Sequence, residues 1–350
     1  MTWNDERGTD GSTDGGSSGT PAGTPAGVDG PTAAVSEHEA REALHDVRTE
    51  VAKAVVGQDA AVSGLLVALL CRGHVLLEGV PGVAKTLLVR TLATALDVGT
   101  RRVQFTTDLM PGDITGSLVL EDGHLVFREG PVFTQLLLAD EINRTPPKTQ
   151  SALLEAMEEG QVSVDGETRP LPTPFLVAAT QNPVEYEGTY PLPEAQLDRF
   201  LLKLTLGLPG RDDEVSILKR HADGFDPRDL AGAGVRAVAG PEHVAAAIAG
   251  AARVRVSDEV AGYVVDLARA TRQSPSLRLG ISPRGTTALL RSARAWAWLS
   301  DRDYVTPDDV KVLAPPTWAH RLGLRPEAEA EGVEARQVLA GAIDSVTVPR

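Results

Sequence analysis

The residues with the clearest chemical pattern form a glycine-rich turn that ends in a lysine and a hydroxyl. In order they are Gly79, Val80, Pro81, Gly82, Val83, Ala84, Lys85, Thr86 and Leu87. The turn follows an apolar stretch and precedes a helical pattern, a context in which backbone N–H groups and a helix N-terminus bind phosphates. We predict that Lys85 reaches the β and γ phosphates and that Thr86 ligates Mg²⁺. Ala84 replaces the last glycine of the general pattern G-x-x-x-x-G-K-[ST], so we expect helical rather than left-handed backbone angles at residue 84.

Two adjacent carboxylates follow one of the most apolar segments of the chain. Residues 135–139 are predicted to form a buried strand, and Asp140 and Glu141 come directly after it. In a parallel sheet, the carboxyl end of such a strand faces the same crevice as a phosphate-binding turn. We therefore predict that Asp140 holds Mg²⁺, directly or through water. Glu141 is predicted to orient and deprotonate the water that attacks the terminal phosphate.

Three polar residues further along the chain occur in the order that a ring-forming ATPase requires. Asn182 follows the predicted strand 175–180, where its amide would lie between the γ phosphate and the attacking water. Arg199 precedes the next strand and is predicted to act in trans as an arginine finger. Arg284 lies in the first turn of a later helix and is predicted to contact bound nucleotide. Glu158 and its acidic neighbours are instead assigned to a solvated helix face.

The elements that would position these residues begin with a parallel sheet. Five apolar segments are separated by helical patterns, which predicts buried strands with helices on both faces. The segments are 74–77, 102–105, 135–139, 175–180 and 200–206. Two hairpins are predicted at Asp122-Gly123 and Asp165-Gly166, because Asp-Gly fits the positive backbone angles of a tight turn. Both hairpins should protrude from the sheet.

Beyond residue 207 the strand signals stop and the pattern is helical. The predicted helices are 212–221, 241–252, 258–272, 283–299 and 307–313. We predict three parts: a disordered tail at 1–35, rich in Gly, Ser, Thr and Pro, an α/β core at 36–207, and a helical domain at 208–350. A short Leu-Pro-Gly hinge at 208–210 joins the last two.

Composition limits the compartment and the partners. There are 48 acidic and 34 basic residues, a net charge of -14 that weakly disfavours extended contact with nucleic-acid phosphates. Cys71 is the only cysteine, which leaves no internal disulfide. The first residues carry no apolar stretch, and the longest apolar run, 60–71, is shorter than the roughly 20 residues of a membrane span. We expect a cytoplasmic protein.

From about residue 35 to 350, the chain resembles the MoxR family of AAA+ ATPases. Its phosphate loop, 79–86, matches the family's GxPGxAKT, including the alanine at 84. Residues 138–159 resemble the family's acidic motif almost throughout, and 179–183 resemble its sensor 1. Residues 191–200 resemble the arginine-finger region. The stretch Val56-Gly57-Gln58 resembles the segment that borders the adenine.

The resemblance implies an αβα core with strand order 5-1-4-3-2 and a C-terminal α-helical lid. The first hairpin then corresponds to the insert in the second core helix and the second to the pre-sensor-1 hairpin. The resemblance also implies ATP and Mg²⁺ as ligands and a homo-oligomer, expected to be a hexameric ring. Family members act as chaperone-like remodellers that help to assemble or activate complexes, including metalloproteins, often with partners that carry von Willebrand factor A domains.

Four other functions fit part of the sequence, and each is disfavoured by another feature of it. A nucleic-acid-translocating motor is disfavoured by the acidic composition, and ATPase stimulation by nucleic acid would identify one. A small-molecule kinase is disfavoured by Arg199 and by the separate lid that carries Arg284. A GTPase is disfavoured because the chain has no Asn-Lys-x-Asp string. A scaffold that only binds nucleotide is disfavoured by the intact Glu141.

Overall fold

The computed structural model describes residues 35–182 and 189–349. The predicted tail falls almost entirely outside these ranges, so its disorder stays a prediction. The strands are β1 Val75–Glu78, β2 Thr100–Gln104, β3 Gly116–Glu121, β4 His124–Glu129, β5 Leu136–Asp140, β6 Gln161–Val164, β7 Glu167–Pro170, β8 Leu176–Gln181, β9 Leu202–Thr205, β10 Leu277–Leu279 and β11 Gly323–Leu324. The helices are α1 Glu37–Ala54, α2 Asp59–Leu70, α3 Lys85–Ala95, α4 Pro111–Thr115, α5 Pro147–Glu159, α6 Glu194–Leu197, α7 Arg211–Ala222, α8 Pro241–Arg253, α9 Asp258–Gln273, α10 Pro283–Leu299, α11 Pro307–Trp318, α12 Pro326–Ala330 and α13 Ala335–Ser345.

Five parallel strands form the central sheet in the order β2-β5-β8-β1-β9. If these five strands are numbered 1 to 5 along the chain, their order across the sheet, read from β9, is the predicted 5-1-4-3-2. The α/β core with a helical C-terminal part is therefore confirmed. Every residue of β5 is buried. The carboxyl ends of β1, β5 and β8 are neighbours at one edge of the sheet, because these strands pair in parallel. Residues that follow these three strands therefore converge on one crevice.

Successive residues of the central strands pack into two different cores. Val75 and Leu77 of β1 belong to the core that includes α1, α2 and α3, whereas Leu76 belongs to the core on the other face with α5. The same alternation holds for β5 and β8. Side chains that alternate between two apolar layers explain why these strands read as continuous apolar runs.

Both predicted hairpins are present. β3 pairs with β4 around Asp122-Gly123, and β6 pairs with β7 around Asp165-Gly166. All four turn residues have positive φ, between 49° and 80°, as an Asp-Gly hairpin turn requires.

The helical part differs from the prediction in two respects. A short antiparallel pair, β10 with β11, lies beyond residue 207, where we expected no strands. Its strands are two and three residues long, too short for an alternation pattern to be recognised. Helices α12 and α13 were also not predicted. From Val35 onward the chain forms one compact unit, so the boundary at 207/208 stays a prediction.

Among the described residues, no helix combines the length and the apolar character that crossing a bilayer requires.

The expected conformation of Ala84 is wrong. Its angles, φ 63° and ψ 23°, are left-handed, and it is the N-cap of α3. Its carbonyl accepts the first helical hydrogen bond, from the N–H of Leu88, at 2.9 Å. The backbone of residue 84 still belongs to the preceding turn, which needs positive φ at Gly82 as well. The requirement of the turn overrides the intrinsic preference of alanine.

Candidate nucleotide site

A cavity of about 490 Å³ lies where the phosphate turn meets the carboxyl ends of β5 and β8. The predicted residues that line it are Val56, Pro81, Gly82, Ala84, Lys85, Thr86, Leu87, Asp140, Glu141 and Asn182. Residues separated by more than a hundred positions in the sequence therefore share one cavity. Its size and its mixture of basic, acidic and amide groups suit a nucleotide with a bound cation.

The other predicted binding residues support the shape of this cavity rather than line it. A Cβ on Gly79 would lie 2.7 Å from the carbonyl oxygen of Leu206, so the close approach of the two segments requires glycine. Gly57 has φ 72° and precedes α2. Val83 is buried in the core, and Val80 packs against it.

The phosphate turn presents its lysine next to the start of α3. The ammonium of Lys85 donates to the carbonyl oxygen of Gly79 at 2.7 Å. Gly82 and Ala84 both have positive φ, and a helix N-terminus follows directly. Backbone N–H groups in such a turn, together with a helix N-terminus, form an anion-binding arrangement.

Asp140 and Glu141 are held in place by Thr180 on the neighbouring strand β8. The Thr180 hydroxyl donates to Oδ1 of Asp140 at 2.5 Å and accepts the backbone N–H of Glu141 at 2.9 Å. Asp140 is 8% exposed, and Glu141 has the left-handed angles φ 58° and ψ 51°. The two carboxylates therefore have different environments although they are neighbours in the sequence. Asn182 is buried at the end of β8 on the same cavity.

Three polar partners of the carboxylates were missed at the sequence level. Arg102 binds Oδ2 of Asp140 through Nε at 3.1 Å and Nη2 at 2.7 Å. Gln104 donates from Nε2 to Oε2 of Glu141 at 2.7 Å, and Arg144 lies 3.4 Å from the same oxygen. Arg102 and Gln104 are two positions apart on β2, so their side chains lie on the same side of the strand. Their spacing in the sequence could have indicated that they share a side of the strand, but not that they contact the carboxylates.

Apolar and aromatic side chains of α7 and the loop after it form another part of the lining that the sequence analysis did not predict. Ile217, His221, Phe225 and Pro227 face the cavity together with Ala54 and Val55. The rings of His221 and Phe225 are 5.4 Å apart in an edge-to-face arrangement. A cavity with a polar end and an apolar end fits a ligand that has a charged part and a heterocyclic part.

The two candidate arginines lie elsewhere. Arg199 and Arg284 do not line the cavity but contact the two carboxylate oxygens of Glu158, each at 3.1 Å. Arg284 also lies 3.5 Å from Asp198. Both arginines line a separate cavity of about 420 Å³, and a role for either at a nucleotide stays a prediction. Glu158 is thus a shared partner of two cations. The prediction of a solvated helix face did not indicate this role.

Comparison with known proteins shows which family the chain is similar to. Residues 74–202 match the model of the ATPase family associated with various cellular activities (AAA), and residues 269–341 match the AAA lid domain. The uncharacterised protein YeaC of Bacillus subtilis is 50% identical and Chaperone MoxR1 of Mycobacterium tuberculosis is 43% identical. These alignments cover 81% and 86% of this chain and 88% and 81% of the relatives. A crystal structure of a candidate ATPase from Cytophaga hutchinsonii is 40% identical, with a TM-score of 0.82 over 90% of this chain and 97% of the other.

Proposed function

The chain belongs to the MoxR family of AAA+ ATPases, and from that premise we propose that it binds ATP with Mg²⁺ and hydrolyses ATP to ADP and phosphate. The observation that carries the proposal is the single cavity shared by Lys85, Thr86, Asp140, Glu141 and Asn182. A phosphate-binding turn alone would also suit a kinase. A buried aspartate followed by a glutamate and an asparagine on neighbouring strands favours hydrolysis by water.

The donor set fits magnesium. The hydroxyl of Thr86 and the carboxylate of Asp140 are hard oxygen ligands on one cavity, of the kind Mg²⁺ prefers. When bound, Mg²⁺ neutralises charge on the phosphate oxygens. Lys85 and backbone N–H groups of the turn 79–87, in which Pro81 has none to offer, bind the β and γ phosphates.

Glu141 orients the attacking water and takes its proton, and Asn182 positions the same water against the γ phosphate. Val56 and the adjacent Gly57 border the adenine. Ile217 of α7 and Phe225 of the loop after it offer the adenine apolar contact. These roles divide the cavity into a polar phosphate end and an apolar base end.

We further propose a homo-oligomeric, hexameric ring in which Arg199 and Arg284 complete a neighbour's site. The observation behind this proposal is that neither arginine lines the cavity of its own chain, which leaves both available to a nucleotide bound by a second copy. Because a relative is named as a chaperone, we propose that ATP turnover remodels a protein client in the cytoplasm. The two hairpins would carry the motion. Metalloprotein complexes and partners with von Willebrand factor A domains are the proposed setting.

Glu141→Gln tests the enzymatic role directly. The variant keeps the shape of the side chain but cannot accept a proton, so ATP affinity should persist while turnover falls by about 10²-fold or more. Phosphate release and calorimetric ATP binding are the measurements. Glu155→Gln, an exposed carboxylate on α5, is the matched control and should behave as the wild type. Undiminished turnover in the Glu141 variant would rule out the proposed role of this residue.

A further inference from the structure

Both oxygens of the Asp140 carboxylate accept hydrogen bonds from protein groups. Oδ1 accepts the Thr180 hydroxyl at 2.5 Å, and Oδ2 accepts Nε and Nη2 of Arg102 at 3.1 and 2.7 Å. A carboxylate oxygen has two lone pairs, so one arginine engages both lone pairs of Oδ2. The guanidinium also neutralises the charge that would attract a cation to this oxygen.

Arg102 makes a further contact that leads to Glu141. The same Nη2 atom donates to Oε1 of Gln104 at 3.0 Å, and Nε2 of Gln104 donates to Oε2 of Glu141 at 2.7 Å. An amide has one accepting end and one donating end. Because Arg102 holds the accepting end, the donating end must point at Glu141. Arg102 therefore fixes the orientation of the amide that binds the predicted water-orienting carboxylate.

The register of the sheet builds this chain of hydrogen bonds. Gln104 lies directly opposite Asp140 across the β2–β5 ladder, and Arg102 lies two residues earlier on the same side of β2. The side chain of Arg102 is 53% exposed, whereas that of Asp140 is 12% exposed. The arginine can therefore move into solvent, while the carboxylate cannot.

We propose that Arg102 is the counter-ion that magnesium displaces from Asp140. The inference rests on the proposed function, which puts the metal at Asp140 and Thr86. Two cations compete for one buried carboxylate, so each weakens the binding of the other. Arg102 is then a positioning residue, because it holds the Asp140 carboxylate in place while no metal is bound.

The experiment measures how strongly magnesium couples to nucleotide binding. The dissociation constant of the full chain for a β,γ-imido ATP analogue is determined by calorimetry in EDTA and in magnesium. The readout is the ratio of the constant in EDTA to the constant in magnesium. Arg102→Met removes the competing charge and keeps the stem of the side chain. The ratio should rise by about three- to fivefold, the upper part of the range for a partly exposed ion pair.

Two further variants separate charge from structure. Arg101→Met changes the neighbouring exposed arginine, which lies on the other side of β2, and should leave the ratio unchanged. Arg102→Lys keeps a positive charge beside Asp140 and should stay within about twofold of the wild type. A merely structural arginine would instead weaken nucleotide binding equally with and without the metal when removed.

The outcomes are distinguishable. An unchanged or lower ratio in Arg102→Met, with wild-type nucleotide binding intact, would overturn this inference and leave the proposed ATPase standing. Failure of the well-folded wild type to bind the nucleotide would overturn the proposed function and the inference with it.

Discussion

At the scale of single residues, backbone strain is found on both sides of the nucleotide cavity. Ala84 in the phosphate turn has φ 63°, and Glu141 after β5 has φ 58°. A non-glycine residue in this region costs free energy and persists where its surroundings impose the conformation. For Glu141 the constraint is visible, because its N–H donates to the hydroxyl of Thr180. The surroundings that impose these backbone angles therefore also set the direction of the phosphate turn and of the segment that carries Glu141.

Replacing Ala84 by glycine should relieve this strain. The free energy of unfolding should rise by about 1 kcal/mol, because glycine adopts positive φ without a Cβ clash. Urea unfolding of the two proteins measures the difference. Ala249→Gly is the matched control: Ala249 is an exposed residue inside α8, so its replacement should lower the free energy of unfolding by about 1 kcal/mol. A destabilised Ala84 variant would contradict the assignment of strain.

At the scale of elements, α5 connects the nucleotide cavity to the arginine pair. It begins shortly after Glu141, and its last turn carries Met157 and Glu158. Thirteen residues of helix span about 20 Å. Glu158 binds both Arg199 and Arg284, and the carbonyl of Met157 accepts a hydrogen bond from Nε2 of His74 at 3.0 Å. A displacement at the start of α5 would therefore reach the arginines through a rigid element.

His74 ties α5 to the sheet and must be neutral to do so. Its Nδ1 accepts the N–H of Val177 at 3.0 Å, which a protonated ring nitrogen cannot do. Burial lowers the pKa of His74 from 6.5 to about 4. Burial also lowers the pKa of His320, in the helical part, to about 4. Both rings bind protons more tightly in the unfolded chain than in the folded one.

The free energy of unfolding should therefore be highest above pH about 6.5 and should fall as the pH is lowered towards 4. Each histidine contributes up to about 3 kcal/mol over this window, because the unfolded chain takes up its proton first. Chemical denaturation at several pH values measures the slope. His74→Gln should reduce the slope, whereas His38→Gln, at a largely exposed position, should not. Equal slopes in wild type and His74→Gln would contradict the burial argument.

At the scale of the whole molecule, two cavities with no lining residue in common divide the proposed chemistry. One carries the phosphate turn and the carboxylates, and the other carries Arg199 and Arg284. In the proposed assembly, the nucleotide cavity of one copy would meet the arginines of the next copy in a head-to-tail contact. Such a contact closes into a ring when the rotation between copies allows. The proposed active site is therefore complete only between two copies of the chain.

Mixing two inactive variants tests this division. Arg199→Ala lacks the proposed finger but keeps the nucleotide cavity, whereas Lys85→Ala lacks a phosphate contact but keeps the finger. Mixed assemblies should recover part of the ATPase activity at interfaces where an intact cavity meets an intact finger. Light scattering verifies assembly, and phosphate release measures activity. Mixed rings without any recovery would argue against action in trans.

The sequence by itself determined the core and the parts of the site that depend on local patterns. The strand positions followed from apolar runs and the hairpins from Asp-Gly. Lys85 was predicted from the glycine-rich turn, and Asp140 and Glu141 from their place at the end of a strand. These signals act over a few residues, since strand burial and turn angles each impose a residue type at a fixed spacing. The family resemblance supplied the strand order.

Only the tertiary structure decided which distant charges meet. Arg284 and Glu158 are 126 residues apart, and Arg102 and Asp140 are 38 apart, so no local pattern marks either pair. The left-handed angles of Ala84 likewise follow from the closure of its turn and not from the preference of alanine. Such features depend on how finished elements pack, where burial and competing partners determine the conformation of each side chain.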